Sequence, residues 1–276
     1  MLDPFDYKEP SCATCGGREF YDPDPEEPEG HIPVDRIIRK LDGLFDKNDM
    51  DEAGRLLEHW QKEAVALRDR RGELAITSEL IGYFRKTGAR EKALACVERG
   101  VELVDALGLS ESVSGATILL NAATTLKAFD LAKDALPLYD RAEAVYEKAL
   151  APDDARRGGF LNNKALALSD LGQFEQAESC FLRAVEIMRK VKNGEPDLAV
   201  TYVNLAHLYE DWLEEPEQKI RACLDRALEL LDRPEVPRNG YYAFVCNKCA
   251  PSFGYFGYFL ADKDLKQRAE SIYAGA

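Results

Sequence analysis

The stretch Phe160–Lys190, FLNNKALALSDLGQFEQAESCFLRAVEIMRK, reads as two helices joined by a tight turn. The turn falls at Gly172, because glycine readily adopts the left-handed backbone conformation that ends many helices. Alanines recur at fixed offsets, with Ala177 twelve residues after Ala165 and Ala184 seven residues after that. Small side chains at these offsets let two helices, and the next pair, approach closely. The stretch therefore predicts a helical hairpin that packs against similar neighbours.

The same pattern recurs from residue 34 to the end of the chain. We used the residue that opens the second helix of each hairpin to mark the register of the repeat. The marks predict six units, at Ala53, Ala93, Ala135, Ala177, Ile220 and Ala269. The spacings are 40, 42, 42, 43 and 49 residues, and the fifth unit implies two extra residues in the turn around 212–216. The first and sixth units fit the pattern least well, as terminal units of repeat arrays often do. The sequence thus predicts an all-α solenoid of about six helix-turn-helix repeats over residues 34–276.

Residues 1–33 differ from the rest of the chain. Six prolines and a run of carboxylates between residues 22 and 29 oppose helix formation there. We expect a non-helical, acidic N-terminal arm that precedes the repeats.

The three small positions, with larger apolar residues between them, resemble the tetratricopeptide repeat. The larger residues of the quoted stretch are Leu161, Leu168, Leu171, Phe174 and Phe181. The period of about 42 residues exceeds the common 34, and is similar to the repeats of kinesin light chain and of bacterial peptide-sensing regulators. No sequence remains for the helix-turn-helix DNA-binding domain that such regulators carry. The resemblance implies a right-handed superhelix with a concave groove for an extended peptide or protein segment, but it does not identify the partner.

Composition excludes several classes of protein. The chain has 276 residues, 46% apolar and 31% charged, which is typical of a folded protein. Its net charge of −14 argues against nucleic acid as a partner, because phosphate binding needs local basic charge. No apolar run is long enough to span a membrane, and no secretion signal is visible, so we expect a cytoplasmic protein. No catalytic motif is recognisable, so we expect no enzyme activity. The oligomeric state is left open.

Asparagine recurs two positions before the small residue of the first helix, at Asn121, Asn163 and Asn204. A carboxamide both donates and accepts hydrogen bonds, so a row of them can hold the backbone of an extended peptide. In kinesin light chain-type repeats asparagine at this place has that role, and the resemblance implies it here. The alternative is that these side chains bond to a neighbouring helix or to water. Asparagine is a poor residue for a helix interior, so three in one register favour a further reason.

The same register extends the predicted inner wall beyond the asparagines. Basic residues should face inward early in the array, at Arg85, Lys86 and Lys127. Late in the array the wall should carry His207, Glu210 and Asp211, followed by Tyr255 and Tyr258. The groove would then be basic toward one end and acidic toward the other. The alternative is an ordinary solvated helix face of mixed charge.

Two Cys-x-x-Cys motifs are present, Cys12/Cys15 in the arm and Cys246/Cys249 before Pro251. Pro251 suits the first turn of a helix, so Cys246–Cys249 is expected in a turn. Two such turns can supply the four thiolates of a structural zinc site, and the arm is long enough to reach along the groove and fill it. The alternatives are a site between two chains, unrelated thiol pairs, or a thiol-based redox or metal sensor. The remaining cysteines read as core residues: Cys96, Cys180 and Cys223.

Overall fold

A computed structural model describes residues 28–46 and 49–274 of the chain. All regular structure in these residues is α-helical. The twelve helices are α1 Val34–Asp46, α2 Met50–Ala66, α3 Arg70–Lys86, α4 Arg90–Ala106, α5 Val113–Ala128, α6 Ala132–Ala149, α7 Ala155–Asp170, α8 Phe174–Met188, α9 Glu195–Trp212, α10 Glu217–Asp232, α11 Gly240–Tyr255 and α12 Phe259–Ala274. Within the described ranges, no helix combines the length and apolar character needed to cross a bilayer.

The helices pack in consecutive pairs, so the predicted all-α fold of six helix-turn-helix repeats is confirmed. The described residues divide into two compact units between Ala149 and Leu150. The first unit contains α1 to α6, and its first helices α1, α3 and α5 also contact one another in sequence. The second unit contains α7 to α12, in which α9 packs against both α7 and α11. Each unit therefore places the first helices of its hairpins side by side.

In four of the hairpins, the turn contains one residue with a left-handed backbone. Gly88, Gly172 and Gly257 have φ of +69°, +69° and +85° at the middle of three-residue turns. In the third hairpin the equivalent residue is Asp130, with φ of +63°. After α7 the Gln173 N–H donates to the Leu168 carbonyl at 2.9 Å, which satisfies one of the carbonyls that the helix end leaves free.

The predicted small positions lie where the two helices of a hairpin cross. Ala53, Ala93, Ala135 and Ala177 each stand three residues after the start of the second helix, and all are fully buried. Ile220 stands at the same place in α10. The two extra residues predicted in this repeat are one additional residue at the end of α9 and one in the turn, 213–216.

The predicted register of the sixth hairpin is wrong by seven residues. The helix α12 begins at Phe259, so the position three residues on is Asp262 and not Ala269. Ala250 lies twelve residues before Asp262 and Ala269 seven after it, and both are buried. The spacing from Ile220 to Asp262 is 42 residues, so the sixth repeat has the ordinary period. A search for small residues missed this register because the crossing position holds an aspartate, whose side chain lies against Gly254.

The second helix of the sixth hairpin is also more polar than its counterparts. The residue four positions after the crossing residue is buried and apolar in the other hairpins: Leu57, Val97, Tyr139, Phe181 and Leu224. In α12 this residue is Lys266, whose Nζ pairs with Asp262 Oδ1 at 2.7 Å and whose side chain is 47% exposed. The sixth hairpin therefore has the character of a cap, with one face that water can solvate.

Candidate functional site

The predicted asparagines fall in different units of the structure. Asn121 lies in α5 of the first unit and is 5% exposed, so it offers little surface to a ligand in this conformation. Asn163 in α7 and Asn204 in α9 belong to the second unit, and both are half-buried. The Asn204 Nδ2 donates to Asn162 Oδ1 at 3.1 Å, across the two neighbouring first helices, which is the bond to a neighbouring helix that the alternative interpretation expects. Asn162 was not predicted as a site residue, although it directly precedes Asn163.

The basic residues predicted for the wall lie in the first unit. Arg85 and Lys86 are in the last turn of α3, and Lys127 is in the last turn of α5. These helices are neighbours, and all three residues lie in the last turn of their helix. Lys86 Nζ lies 5.1 Å from the centre of the Phe45 ring, a cation–π contact within the chain.

Glu210, one of the two acidic residues predicted for the wall, belongs to an ordered cluster in the second unit, whereas the next residue, Asp211, is exposed outside it. We call His207, Glu210, Tyr255 and Phe256 the aromatic–acidic cluster. His207 Nδ1 lies 3.7 Å from Glu210 Oε2, and its ring centre lies 4.9 Å from that of Phe256. The Tyr255 hydroxyl donates to Glu210 Oε1 at 2.8 Å, so α9 and α11 are joined at this point. The sequence thus identified three of the four members, and it missed Phe256.

Hydrogen bonding fixes the geometry of this cluster. His207 Nε2 lies 2.9 Å from Ser252 Oγ, which holds the imidazole between α9 and α11. The hydrogen bond to the Glu210 carboxylate raises the pKa of the Tyr255 hydroxyl, so this tyrosine stays neutral and remains a donor. Tyr255 nevertheless keeps 67% of its surface exposed. The cluster can therefore contact a ligand with an aromatic ring and a carboxylate together. Tyr258 lies outside it, since its hydroxyl donates to Asp225 Oδ1 at 3.1 Å.

The expectation that Cys246–Cys249 forms a turn is wrong. Both residues lie inside α11, which begins at Gly240, and Pro251 is in the second half of that helix. The capping side chain of Asn239 starts the helix much earlier, because its Oδ1 accepts from the Tyr242 N–H at 3.0 Å. Both cysteines are buried, as are the three predicted core cysteines: Cys96, Cys180 and Cys223.

Cys246 and Cys249 lie in a buried part of α11. Burial raises the pKa of the Cys246 thiol to about 11 and that of Cys249 to about 12. Within residues 28–46 and 49–274, no three His, Cys, Asp or Glu side chains come together as metal ligands. Cys12 and Cys15 lie outside the described residues, as does most of the arm. A four-cysteine site that ties the arm to α11 therefore stays a prediction.

Comparisons with known proteins agree with the fold. Residues 158–233 match the family model for the tetratricopeptide repeat. The structure is similar to BtubC (BKLC) of P. vanneervenii, with a TM-score of 0.62 and 26% identity over 71% of this chain and 79% of that chain. It is also similar to a putative kinesin light chain repeat protein of Podosopora anserina, with a TM-score of 0.52 and 18% identity over 72% of this chain and 94% of that one. A comparison with curated protein sequences gave no significant match. The predicted resemblance to kinesin light chain-type repeats is thus confirmed.

Proposed function

We propose that this tetratricopeptide repeat protein is a non-catalytic interaction module that binds an extended segment of a protein partner. The ligand would lie across the first helices of the second unit, α7, α9 and α11. Repeats of this type generally serve protein–protein interaction, and the adjacent first helices offer an extended surface.

The observation that carries this proposal is the pair of carboxamides that spans two repeats. Asn204 of α9 reaches Asn162 of α7 at 3.1 Å, and Asn163 is half-buried beside it. Each amide has more hydrogen-bonding capacity than this one bond uses. Backbone N–H and C=O groups of an extended peptide are suitable partners, because they alternate along a strand and are the same for every sequence. A site of this kind holds the peptide backbone, and neighbouring side chains then select the sequence.

The test is a selection of random 12-residue displayed peptides against the full chain, followed by affinity measurements on synthetic copies. We expect the Asn163→Ala/Asn204→Ala variant to bind the selected peptides at least about 10-fold more weakly, since it loses more than one hydrogen bond. The matched control is Gln267→Ala, which removes an exposed carboxamide from α12. Thermal unfolding of both variants shows whether the fold is kept. Failure to select any peptide, or equal weakening by Gln267→Ala, would contradict the proposal.

A further inference from the structure

We infer that the aromatic–acidic cluster is a subsite for a lysine or arginine side chain of the bound segment. This inference rests on the proposed function and assigns a chemistry to one part of the same surface. It follows from a comparison of two places in the second unit where a tyrosine hydroxyl donates to a glutamate carboxylate.

At the first place the chain supplies its own cation. The Tyr209 hydroxyl donates to Glu178 Oε1 at 2.7 Å, which links α9 to α8. Lys219 of α10 places its Nζ 4.3 Å from the centre of the Tyr209 ring and 3.4 Å from the same carboxylate oxygen. The Lys219 ammonium group thus makes a cation–π contact with Tyr209 and an ion pair with Glu178 at the same time.

At the second place the tyrosine and the glutamate are present without such a lysine. Tyr255 donates to Glu210 Oε1 at 2.8 Å, close to the distance in the Tyr209–Glu178 pair. In the described part of the chain, Glu210 has an ion-pair contact only with the imidazole of His207, at 3.7 Å. The exposed ring of Tyr255 lies next to that of Phe256, with ring centres 5.0 Å apart. An ammonium or guanidinium group from a ligand would complete the arrangement that Lys219 completes at Tyr209.

Cation–π contacts are a recurring device elsewhere in the structure. Six aromatic rings of the described chain hold a cation of the same chain, with distances of 4.1–5.7 Å to the ring centre. The pairs are Lys86–Phe45, Arg90–Phe129, Lys92–Phe84, Lys219–Tyr209, Arg238–Tyr242 and Lys248–Phe244. Tyr255 and Phe256 are in none of these pairs, although Tyr255 is among the most exposed rings.

The electrostatic surroundings also favour a cation. Glu210 and Asp211 are in the last turn of α9, and Glu214 and Glu215 follow in the turn after it. The C-terminal end of a helix carries partial negative charge, and no basic residue occupies the last turn of α9. The net charge of −14 attracts a basic ligand at long range, whereas the rings of Tyr255 and Phe256 give the contact its geometry.

The experiment uses the peptides selected above and the full chain. We expect the selected peptides to share a lysine or arginine at one position. A synthetic peptide is then compared with its copy in which norleucine, which keeps the apolar stem and removes the charge, replaces that residue. By fluorescence anisotropy at physiological salt, the replacement should weaken binding to the wild-type chain about 5- to 20-fold. With Tyr255→Ala the same replacement should change the affinity less than about 2-fold, because the ring that the cation contacts is gone.

Two further variants separate the subsite from general attraction to an acidic protein. Tyr255→Phe keeps the ring, so the effect of norleucine should persist. Glu210→Gln should weaken the lysine peptide about 2- to 5-fold, while Glu270→Gln, which removes one exposed charge from α12, should leave it unchanged. An equal loss from Glu210→Gln and Glu270→Gln would overturn the inference, as would an equal norleucine effect in wild type and Tyr255→Ala. Peptides whose binding depends on Asn163 and Asn204 but on neither Tyr255 nor Glu210 would overturn the lysine or arginine subsite alone. Failure to select any peptide would overturn the proposed function.

A second copy of this chain is the competing occupant of the cluster. Sedimentation of the wild-type and Tyr255→Ala chains distinguishes it. We expect the same mass for both, and a lower mass for Tyr255→Ala would show that the exposed ring holds a second copy and that the peptide inference is wrong.

Discussion

Asp69 stabilises the start of the repeat array through two hydrogen bonds of its carboxylate. Its Oδ1 accepts from the Gly72 N–H at 3.0 Å and caps α3, while Oδ2 accepts from the Ile32 N–H at 2.9 Å. One buried carboxylate therefore both caps a helix and fixes the segment that leads into α1. We expect Asp69→Ala to lower the free energy of unfolding by about 2–3 kcal/mol, because two buried N–H groups lose their acceptor. Urea unfolding measures the loss.

The control for this prediction is Asp49, the cap of α2. Its Oδ1 accepts from the Glu52 N–H at 3.1 Å, but the residue is exposed, and within the described residues its carboxylate holds no second segment. Asp49→Ala should cost about 1 kcal/mol or less, since water can replace the lost acceptor. Equal costs at the two positions would show that the bond to Ile32 does not contribute to stability.

Cys246 and Cys249 should be unreactive in the folded protein. At pH 8 a pKa of about 11 leaves Cys246 with about 100-fold less thiolate than the ordinary thiol value of 9.0 allows, and its side chain is buried as well. We expect iodoacetamide to label both residues only after unfolding, as measured by peptide mass spectrometry. A Cys12→Ser/Cys15→Ser chain serves as the reference, so that the arm does not contribute. Rapid labelling, or a disulfide under mild oxidant, would favour the thiol-sensor alternative instead.

The same two thiols make stability depend on pH in the alkaline range. Their pKa values in the folded chain, about 11 and about 12, lie above the ordinary value of 9.0. The folded state therefore binds these protons more tightly than the unfolded state does. Their contribution to the free energy of unfolding is complete below about pH 9 and is lost as the pH rises through 11 to 12. Cys246→Ala/Cys249→Ala should flatten this decline, which urea unfolding between pH 8 and pH 11 would reveal.

At the scale of the element, equivalent positions in two hairpins should differ sharply in their cost of mutation. Phe181 of α8 is fully buried, and Lys266 occupies the same position in α12 with about half of its side chain exposed. Phe181→Ala should cost about 3–5 kcal/mol, because it leaves a cavity in the core. Lys266→Ala should cost about 0.5 kcal/mol or less, since it removes only an exposed pair with Asp262. A large loss from Lys266→Ala in urea unfolding would contradict the capping role of the sixth hairpin.

The hairpins themselves could be predicted from the sequence because their signals are local. A helical hairpin explains Gly172, Ala177 and the large apolar residues beside them, and the chain repeats this pattern. The prediction failed where local signals conflicted. Asp262 stands at a position that holds alanine in four other hairpins. The rule that this position is small therefore predicted Ala269 instead. Pro251 suggested a helix start, but the capping bond of Asn239 and the buried residues around Cys246 and Cys249 extend α11 through the proline.

At the scale of the whole molecule, the candidate site was only partly predictable. Repeat register placed His207, Glu210 and Tyr255 on one face, since residues at equivalent positions of neighbouring first helices come together. It could not show that Tyr255 donates to Glu210, or that Lys219 lies over Tyr209, because side-chain contacts between helices depend on rotamers and packing. It also could not show that Asn121 is buried while Asn163 and Asn204 are half-buried, because the pattern of the repeat is the same at all three positions.

The division between Ala149 and Leu150 makes a further prediction about the whole chain. In repeat proteins each hairpin contacts mainly its neighbours, so stability is close to a sum of hairpin and interface terms. The second unit has buried aromatic residues of its own, at Phe160, Phe181 and Phe253. We therefore expect a fragment of residues 150–276 to fold alone, with a helical circular dichroism spectrum and a cooperative thermal transition.

The fragment should also keep the proposed peptide site, because Asn163, Asn204 and the aromatic–acidic cluster all belong to the second unit. Peptides selected on the full chain should bind residues 150–276 within about 5-fold of the original affinity, since the helices that contact them are retained. The fragment of residues 28–149, which carries Arg85, Lys86 and Lys127, is the matched control and should not bind them. If the second fragment folds but binds no peptide, while the full chain does, the first unit contributes contacts that the proposed site lacks.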